Sequence, residues 1–160
     1  MTMTRNRPLT AIRLLLGLFM AGVVVSGLTA FPLLTEVRAL AAWLPDAHAP
    51  APSAFTVWIL KVQDALAQVD RDYPFLPYAT DWLAFAHLII AVAFIGPWRD
   101  PVRNVWVIDF GLIACVAVIP LALIAGHFRG IPLWWRAIDC SFGVLGAIPL
   151  LLVRKMIGKL

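Results

Sequence analysis

The stretch NVWVIDFGLIACVAVIPLALIAGHFRGIPLWWRAIDCSFGVLGAIPLLLV, residues 104–153, decides the fold of this chain. Two strongly apolar runs flank a short polar turn. Each run is long enough to cross a bilayer core of about 30 Å, which needs roughly 20 helical residues. We therefore predict spanning helices at about residues 104–126 and 132–153, joined by a hairpin. Pro120 should kink the first helix, and Pro132 suits the first turn of the second.

The whole 160-residue chain has the composition of an integral membrane protein. Hydrophobic residues make up 62% and charged residues 14%, and the mean hydropathy is +0.88. Soluble domains are about half apolar and about one quarter charged. Two more apolar runs predict spanning helices at about residues 9–34 and 81–97. We therefore expect one all-α membrane domain, a four-helix bundle of residues 1–160.

The first apolar run is longer than the roughly 7 to 15 residues of a signal-peptide core, which favours a retained spanning helix. Gly22, Ser26 and Ala30 recur on it every four residues. Such a row of small side chains lets another helix approach closely. The alternative is that glycine is simply tolerated in lipid.

Residues 35–80 differ in composition, because they hold five prolines and most of the acidic residues. A short helix capped by Thr35 is predicted first, with Leu40 and Ala41 on its apolar side. A flexible HAPAPS linker, residues 48–53, follows. Residues 55–69 then form an amphipathic helix whose polar face is not basic, so attraction to anionic lipid is disfavoured. We expect this external segment to be a periplasmic cap on the bundle or a docking site for a partner.

The distribution of Lys and Arg predicts the orientation of the chain. The eight placed on the inner side are Arg5, Arg7, Arg13, Arg99, Arg103, Arg154, Lys155 and Lys159. The five on the outer side are Arg38, Lys61, Arg71, Arg129 and Arg136. Since cytoplasmic loops carry the excess of basic residues, both termini should be cytoplasmic in a bacterial inner membrane. Topology thus explains the net charge of +4 better than nucleic-acid binding does.

Charged residues inside the spanning helices should be paired, because an isolated charge in the bilayer is costly. Asp109 lies about two turns inside its helix, and Arg13 stands at a similar depth on the first helix. We predict an Arg13–Asp109 pair that clamps these helices, with a proton-relay role for Asp109 as the alternative. Arg136 and Asp139, three residues apart, are predicted to form a second ion pair.

Two histidines are candidate cofactor ligands. His87 and His127 fall toward the outer half of adjacent predicted helices, where paired histidines can hold haem b and where quinones bind beside His and Arg groups. Arg129 and Arg136 would then help to bind the cofactor. The expected depths of the histidines differ by about 7 Å at 1.5 Å per residue, which is unfavourable for ligating one iron. The alternative is that both are interface residues in a Trp-rich anchor belt.

A nucleophile is not predicted. Cys140 stands beside Asp139, but no motif supports catalysis, and Cys115 and Cys140 are interpreted as packing residues without a disulfide. The chain has no phosphate loop, HExxH or CxxC motif, so no catalytic residue or metal site is expected.

The segments PWRDPVRNVWVIDFG (97–111) and IPLALIAGHFRGIPLWWRAIDCSFGVLGAIPL (119–150) resemble a group of small bacterial four-helix membrane proteins without an assigned reaction. The resemblance implies a bacterial inner-membrane protein and carries over no catalytic residue. We expect a non-catalytic accessory, structural or assembly subunit of a larger membrane complex, with the bilayer and other membrane subunits as partners. The alternative is a redox subunit that binds haem b or quinone. Few polar residues in the spanning helices disfavour transport.

Overall fold

A computed structural model of the chain describes residues 6–159, with side chains described from Pro8 onward. Residues 1–5 and Leu160 lie outside the described residues, and so does the predicted inner-side residue Arg5. The described residues form seven helices and no strand. The helices are α1 (Asn6–Ala30), α2 (Leu33–Trp43), α3 (Ala54–Asp72), α4 (Tyr78–Ala93), α5 (Ile95–Arg99), α6 (Val105–Phe128) and α7 (Leu133–Ile157).

Four helical stretches are long and apolar enough to cross a membrane, which confirms the predicted multi-pass, all-helical class. They are Pro8–Ala30, Tyr78–Arg99, Val105–Phe128 and Leu133–Ile157. The second stretch consists of α4 and α5, which meet at the buried Phe94. Pro120 lies inside α6, as expected from the sequence.

The chain divides into two compact units, Met1–Gly22 with Ile90–Leu160, and Val23–Ile89. The first unit contains the main apolar core. The buried members of this core are Ile12, Leu16, Phe94, Val107, Ile108, Leu150, Val153 and Ile157. The Phe19 and Phe94 rings lie 4.6 Å apart between centroids. A Cβ at Gly111 would lie 2.7 Å from Phe94 and 2.8 Å from Leu150, so this glycine makes room for the two side chains.

Helices α6 and α7 form an antiparallel hairpin in the first unit. Its turn contains Gly130, whose φ of 67° is in the left-handed region that favours glycine. Further along, Gly143 lies directly against the α6 backbone, because a Cβ there would collide with the carbonyl of Cys115 and lie 2.5 Å from Val118 Cγ1. Gly143 therefore lets α6 and α7 approach each other closely.

In the second unit the close approach on α1 is made by a different glycine from those predicted. A Cβ at Gly27 would lie 2.9 Å from the carbonyl oxygen of Ala84 and 3.0 Å from Cβ of His87 on α4. At Gly22 an added Cβ would meet nothing within 4 Å. Glycine spacing alone does not show which side of α1 faces its neighbour, and so the predicted small-residue row was wrong at Gly22.

Helices α2 and α3 pack against each other as a hairpin in the second unit. The N-cap of α2 is Pro32 and not Thr35. The helix starts at Leu33, three residues earlier than a Thr35 cap would place it, because the prolyl ring restricts φ of Pro32 just before the first turn. Helix α3 is capped by Ser53, whose side chain accepts a hydrogen bond from the backbone N–H of Thr56. Ile59 is buried, in agreement with the predicted amphipathic helix, and Thr56 is buried beside it although its side chain is polar.

Candidate functional site

His87 is held by its own helix. Its Nδ1 atom lies 2.7 Å from the carbonyl oxygen of Leu83, one turn earlier on α4, and its Cβ packs over Gly27. Because a carbonyl oxygen only accepts hydrogen bonds, Nδ1 carries the proton in a neutral ring. The Nε2 atom is then the ring's free acceptor. The predicted candidate is thus a half-buried histidine in the second unit with one satisfied nitrogen.

His127 is in the last turn of α6, in the first unit. It is exposed, and its ring packs edge-on against Phe128 with centroids 5.7 Å apart. The predicted candidate Arg129 follows as the exposed C-cap of α6, and its backbone N–H donates to the carbonyl of Ala125. His87 and His127 therefore belong to different units, and each has a local packing role of its own.

Arg136 does not pair with Asp139 as predicted. Its Nη1 atom donates to the carbonyl oxygen of Leu123 over 3.1 Å, and no ion pair joins it to Asp139 in the described part of the chain. The cause is packing: a Cβ at Gly126 would lie 2.5 Å from Cδ of Arg136, so the arginine stem lies across this glycine. That path takes the guanidinium to the carbonyls near the end of α6 and away from the next turn of α7.

The partner predicted for Asp109 is also corrected. Arg154 Nε on α7 donates to Asp109 Oδ1 over 2.7 Å, and both side chains are half-exposed. Arg13 Nε instead donates to the carbonyl of Trp98 over 3.3 Å, and its guanidinium lies 5.7 Å from the Trp98 ring centroid. Asp109 pairs with Arg154 because α6 and α7 are packed as neighbours along their length. The predicted Arg13–Asp109 clamp was therefore wrong, and the ion pair of Asp109 joins α6 to α7.

The linker between α2 and α3 is ordered by Asp46, which the sequence analysis did not single out. One oxygen of this carboxylate accepts from the Ser53 backbone N–H over 2.7 Å, and the other accepts from the Thr56 hydroxyl. These hydrogen bonds lower the pKa of Asp46 from its ordinary value, with the Thr56 hydroxyl as the main cause. An Asp ahead of a Pro-rich run and a Ser-x-x-Thr cap is the signal that predicts such a fixed linker.

Helix α2 carries an apolar stripe on its uncovered side. Its members are Leu33, Leu40 and Trp43, which are 37%, 41% and 86% exposed. Leu40 follows Leu33 by seven residues, and Trp43 follows Leu40 by three, so all three share one side of the helix. Ala41, about 100° round the helix from Leu40, is buried. The predicted inward position of Leu40 was therefore wrong, and we call this surface the α2 stripe.

No protein-family model, curated protein or solved structure matches this chain. Among residues 6–159 no group of three or more His, Cys, Asp or Glu side chains is arranged to hold a metal ion. Cys115 and Cys140 are both free, and Cys140 Sγ lies 3.9 Å from the carbonyl of Ile119. The α2 stripe and His87 are therefore the two features from which a function can be argued.

Proposed function

We propose that the chain is a non-catalytic accessory or assembly subunit that binds another membrane protein through the α2 stripe. The observation that carries this proposal is Trp43, a tryptophan that is 86% exposed at the end of a helix outside the four candidate membrane spans. Exposed tryptophans flanked by apolar residues are typical of the energetic centre of protein interfaces. The fixed linker supports the proposal, because a preorganised hairpin loses less conformational entropy on binding.

The proposal places the α2–α3 hairpin on the periplasmic side of a bacterial inner membrane, with both termini in the cytoplasm. The excess of Lys and Arg near the termini and in the 99–103 connection supports this orientation. The partner is then a membrane subunit that offers an apolar groove at the outer membrane surface. The polar side of α3, with exposed Lys61 and Asp64, would remain in water.

Site-specific photo-crosslinking in the protein's own host cells tests this function. A photoreactive residue at position 43 should give one discrete protein adduct, and the same residue at Asp64 should not. The adduct at position 43 should disappear when Leu40→Glu is added, because a carboxylate cannot enter an apolar groove without a large desolvation cost. Adducts of equal yield at both positions, or adducts with lipid alone at position 43, would contradict the proposal.

The strength of the contact can be estimated. Truncating a central interface tryptophan costs about 2 kcal/mol or more, which corresponds to roughly a 30-fold loss of affinity. Trp43→Ala should therefore abolish co-isolation of the partner in mild detergent. Trp106→Ala is the matched control, since Trp106 is also well exposed, at 65%, but lies on the candidate span of α6. It should leave co-isolation unchanged.

We propose a haem b- or quinone-binding redox subunit as the second candidate, on the strength of His87. The proton on Nδ1 leaves Nε2 as an acceptor, which is the state that a haem iron or the hydroxyl of a reduced quinol requires. His87 would be the protein ligand. This candidate ranks second because neither histidine lines the cavity of about 450 Å³ or the adjoining groove of about 350 Å³ that the second unit contains.

A visible absorption spectrum of the purified protein separates the two candidates. The accessory function predicts no Soret band at a stoichiometric level, in protein isolated from its own host. A Soret band that is lost in His87→Ala would establish the redox function instead. For quinone, extraction of the purified protein followed by mass spectrometry gives the equivalent answer.

A further inference from the structure

The second unit contains an open cavity of about 450 Å³ at one end of the candidate spans. The end of α1, the start of α2, the last turns of α3 and the first turn of α4 line it. Its charged groups are Arg38, Asp70 and Asp81, and the hydroxyls of Thr35 and Thr80 are also present. A volume of this size is within the range of small-molecule sites, about 300 to 1,000 Å³.

The three charged side chains have no ion-pair partner within the described residues. Arg38 and Asp70 are exposed, and Asp81 is half-buried. One guanidinium and two carboxylates thus line a single cavity without neutralising each other in the protein. The cavity offers hydrogen-bond donors for an anionic group and acceptors for a cationic group. The three charged side chains together have a formal net charge of −1.

An apolar groove of about 350 Å³ continues from this cavity. The two share Phe31 and Asp81, and the groove is otherwise lined by Tyr78, Trp82 and Phe85. The spacing of four and three residues places these α4 aromatics on one side of the helix, and successive ring centroids lie 6.1 and 6.2 Å apart. Because α4 begins the candidate span Tyr78–Arg99, the groove follows a spanning helix away from the polar cavity.

We propose that the cavity and groove together bind one phospholipid with a zwitterionic, primary-ammonium headgroup, of the phosphatidylethanolamine class. Arg38 and the threonine hydroxyls donate to the phosphate, Asp70 and Asp81 accept from the ammonium, and an acyl chain lies in the aromatic groove. Aromatic side chains of this kind are typical of the membrane interface, where a headgroup meets its chains.

The charges distinguish this lipid from its common alternatives. An anionic phosphatidylglycerol headgroup would bring a net negative charge to a site that is already negative by one. A phosphatidylcholine headgroup is zwitterionic, but its quaternary ammonium has no N–H group to donate to either aspartate. The primary ammonium donates three hydrogen bonds, and charge-assisted hydrogen bonds to carboxylates are the strong ones.

Native mass spectrometry of the full chain tests the proposal. The protein in detergent is mixed with equal amounts of phosphatidylethanolamine, phosphatidylcholine and phosphatidylglycerol of the same acyl chains. The wild type should retain one phosphatidylethanolamine, preferred about tenfold or more over each of the others, the factor expected from one additional charge-assisted hydrogen bond. Equal retention of the three lipids, a preference for another headgroup, or no retained lipid would overturn the proposal.

Variants locate the site. Asp81→Asn should remove most of the preference over phosphatidylglycerol, and Arg38→Gln should weaken all three lipids, because the phosphate loses its cation. Asp64→Asn, an equivalent change at an exposed position outside the cavity, should behave as the wild type. An unchanged preference in Asp81→Asn would refute the assignment. If a variant fails to fold, the selectivity of the wild type still decides.

A water-soluble headgroup separates the contributions of cavity and groove. Phosphoethanolamine at the same concentration should not displace the bound lipid, since it lacks a chain for the groove that Tyr78, Trp82 and Phe85 line. Displacement at equal concentration would show that the groove is not occupied and would overturn the proposed mode. Leu33 of the α2 stripe also lines the cavity, whereas Leu40 and Trp43 do not, so variants at Leu40 and Trp43 test the partner-binding function apart from the lipid site.

Discussion

Replacing Gly143 by alanine should force the α6–α7 hairpin apart. The added Cβ would collide with the backbone carbonyl of Cys115, which cannot rotate away, and would lie 2.5 Å from Val118 Cγ1. Ordinary van der Waals contact begins near 3.4 Å, so this carbon pair falls short by about 0.9 Å. The helices must separate to relieve this clash. A separation of about 0.5 to 1 Å costs a quarter to a half of the dispersion energy of each atom contact, and the neighbouring contacts along the interface lose energy as well.

The expected cost follows from two opposing effects. Overpacking of a well-packed site costs about 1 to 3 kcal/mol, whereas alanine is favoured over glycine in a helix by up to about 1 kcal/mol. Gly143→Ala should therefore lower the free energy of unfolding by about 1 to 2 kcal/mol. Gly146→Ala should cost less, since its Cβ would meet the Sγ atom of Cys115 at 3.0 Å, and a side chain can yield.

Unfolding in mixed micelles of dodecylmaltoside and increasing SDS, followed by circular dichroism, measures these differences. Gly22→Ala is the matched control, because an added Cβ there meets nothing within 4 Å. It should be as stable as the wild type or slightly more stable. If Gly143→Ala unfolds at the same SDS fraction as Gly22→Ala, the close approach of α6 and α7 at this position is refuted.

Two other features of the structure make testable predictions. A double-mutant cycle of Asp109→Asn with Arg154→Gln should give a coupling energy of about 0.5 to 1 kcal/mol, as expected for a half-exposed ion pair. The cycle of Asp109→Asn with Arg13→Gln should give no coupling. Coupling to Arg13 and none to Arg154 would restore the pairing predicted from sequence. The stabilisation from Asp46 should be present above its ordinary pKa and be lost as pH falls through the lowered pKa of the folded state. The difference in thermal stability between wild type and Asp46→Asn should therefore shrink between about pH 7 and about pH 3, and a constant difference would show that the carboxylate hydrogen bonds do not stabilise the linker.

The apolar runs were enough to predict the four candidate spans, because the length of an apolar helix is set by the bilayer and is visible in one sequence. The first span ends at Ala30, four residues before the predicted end, because a turn at Phe31 and Pro32 starts α2 there. The amphipathic pattern of α3 was also sufficient, and Ile59 is buried as the pattern requires. The spacing of apolar residues thus predicts a helix and its buried side when the opposite side is clearly polar.

Pairing between helices was not predictable in the same way. Arg13 and Arg154 stand at similar levels of their helices, and the rotation of α7 against α6 decides which of them reaches Asp109. Such rotations depend on packing at positions such as Gly143, and the spacing of residues along one helix does not predict them. The linker network was missed because Asp46 and Thr56 are ten residues apart, and only the turn of the chain brings them together.

The α2 stripe was missed for a physical reason as well. An isolated apolar pattern on a short helix predicts one buried side, and Leu40 was assigned to it. Helix α2 in fact buries Ala41 against its neighbours and leaves Leu40 and Trp43 uncovered. A helix with apolar residues on both sides has a second surface to cover, and that surplus is the feature on which the proposed function depends.

Labelling of single cysteines in intact cells tests the central claim, that the chain crosses the membrane four times with the α2–α3 hairpin outside. Cys115 and Cys140 are first replaced by alanine, and Ala51→Cys in the linker or Lys159→Cys at the C-terminal end is then introduced. A membrane-impermeant maleimide should label Ala51→Cys in intact cells and Lys159→Cys only after the membrane is opened. Labelling of both positions in intact cells, or of Lys159→Cys alone, would contradict the account.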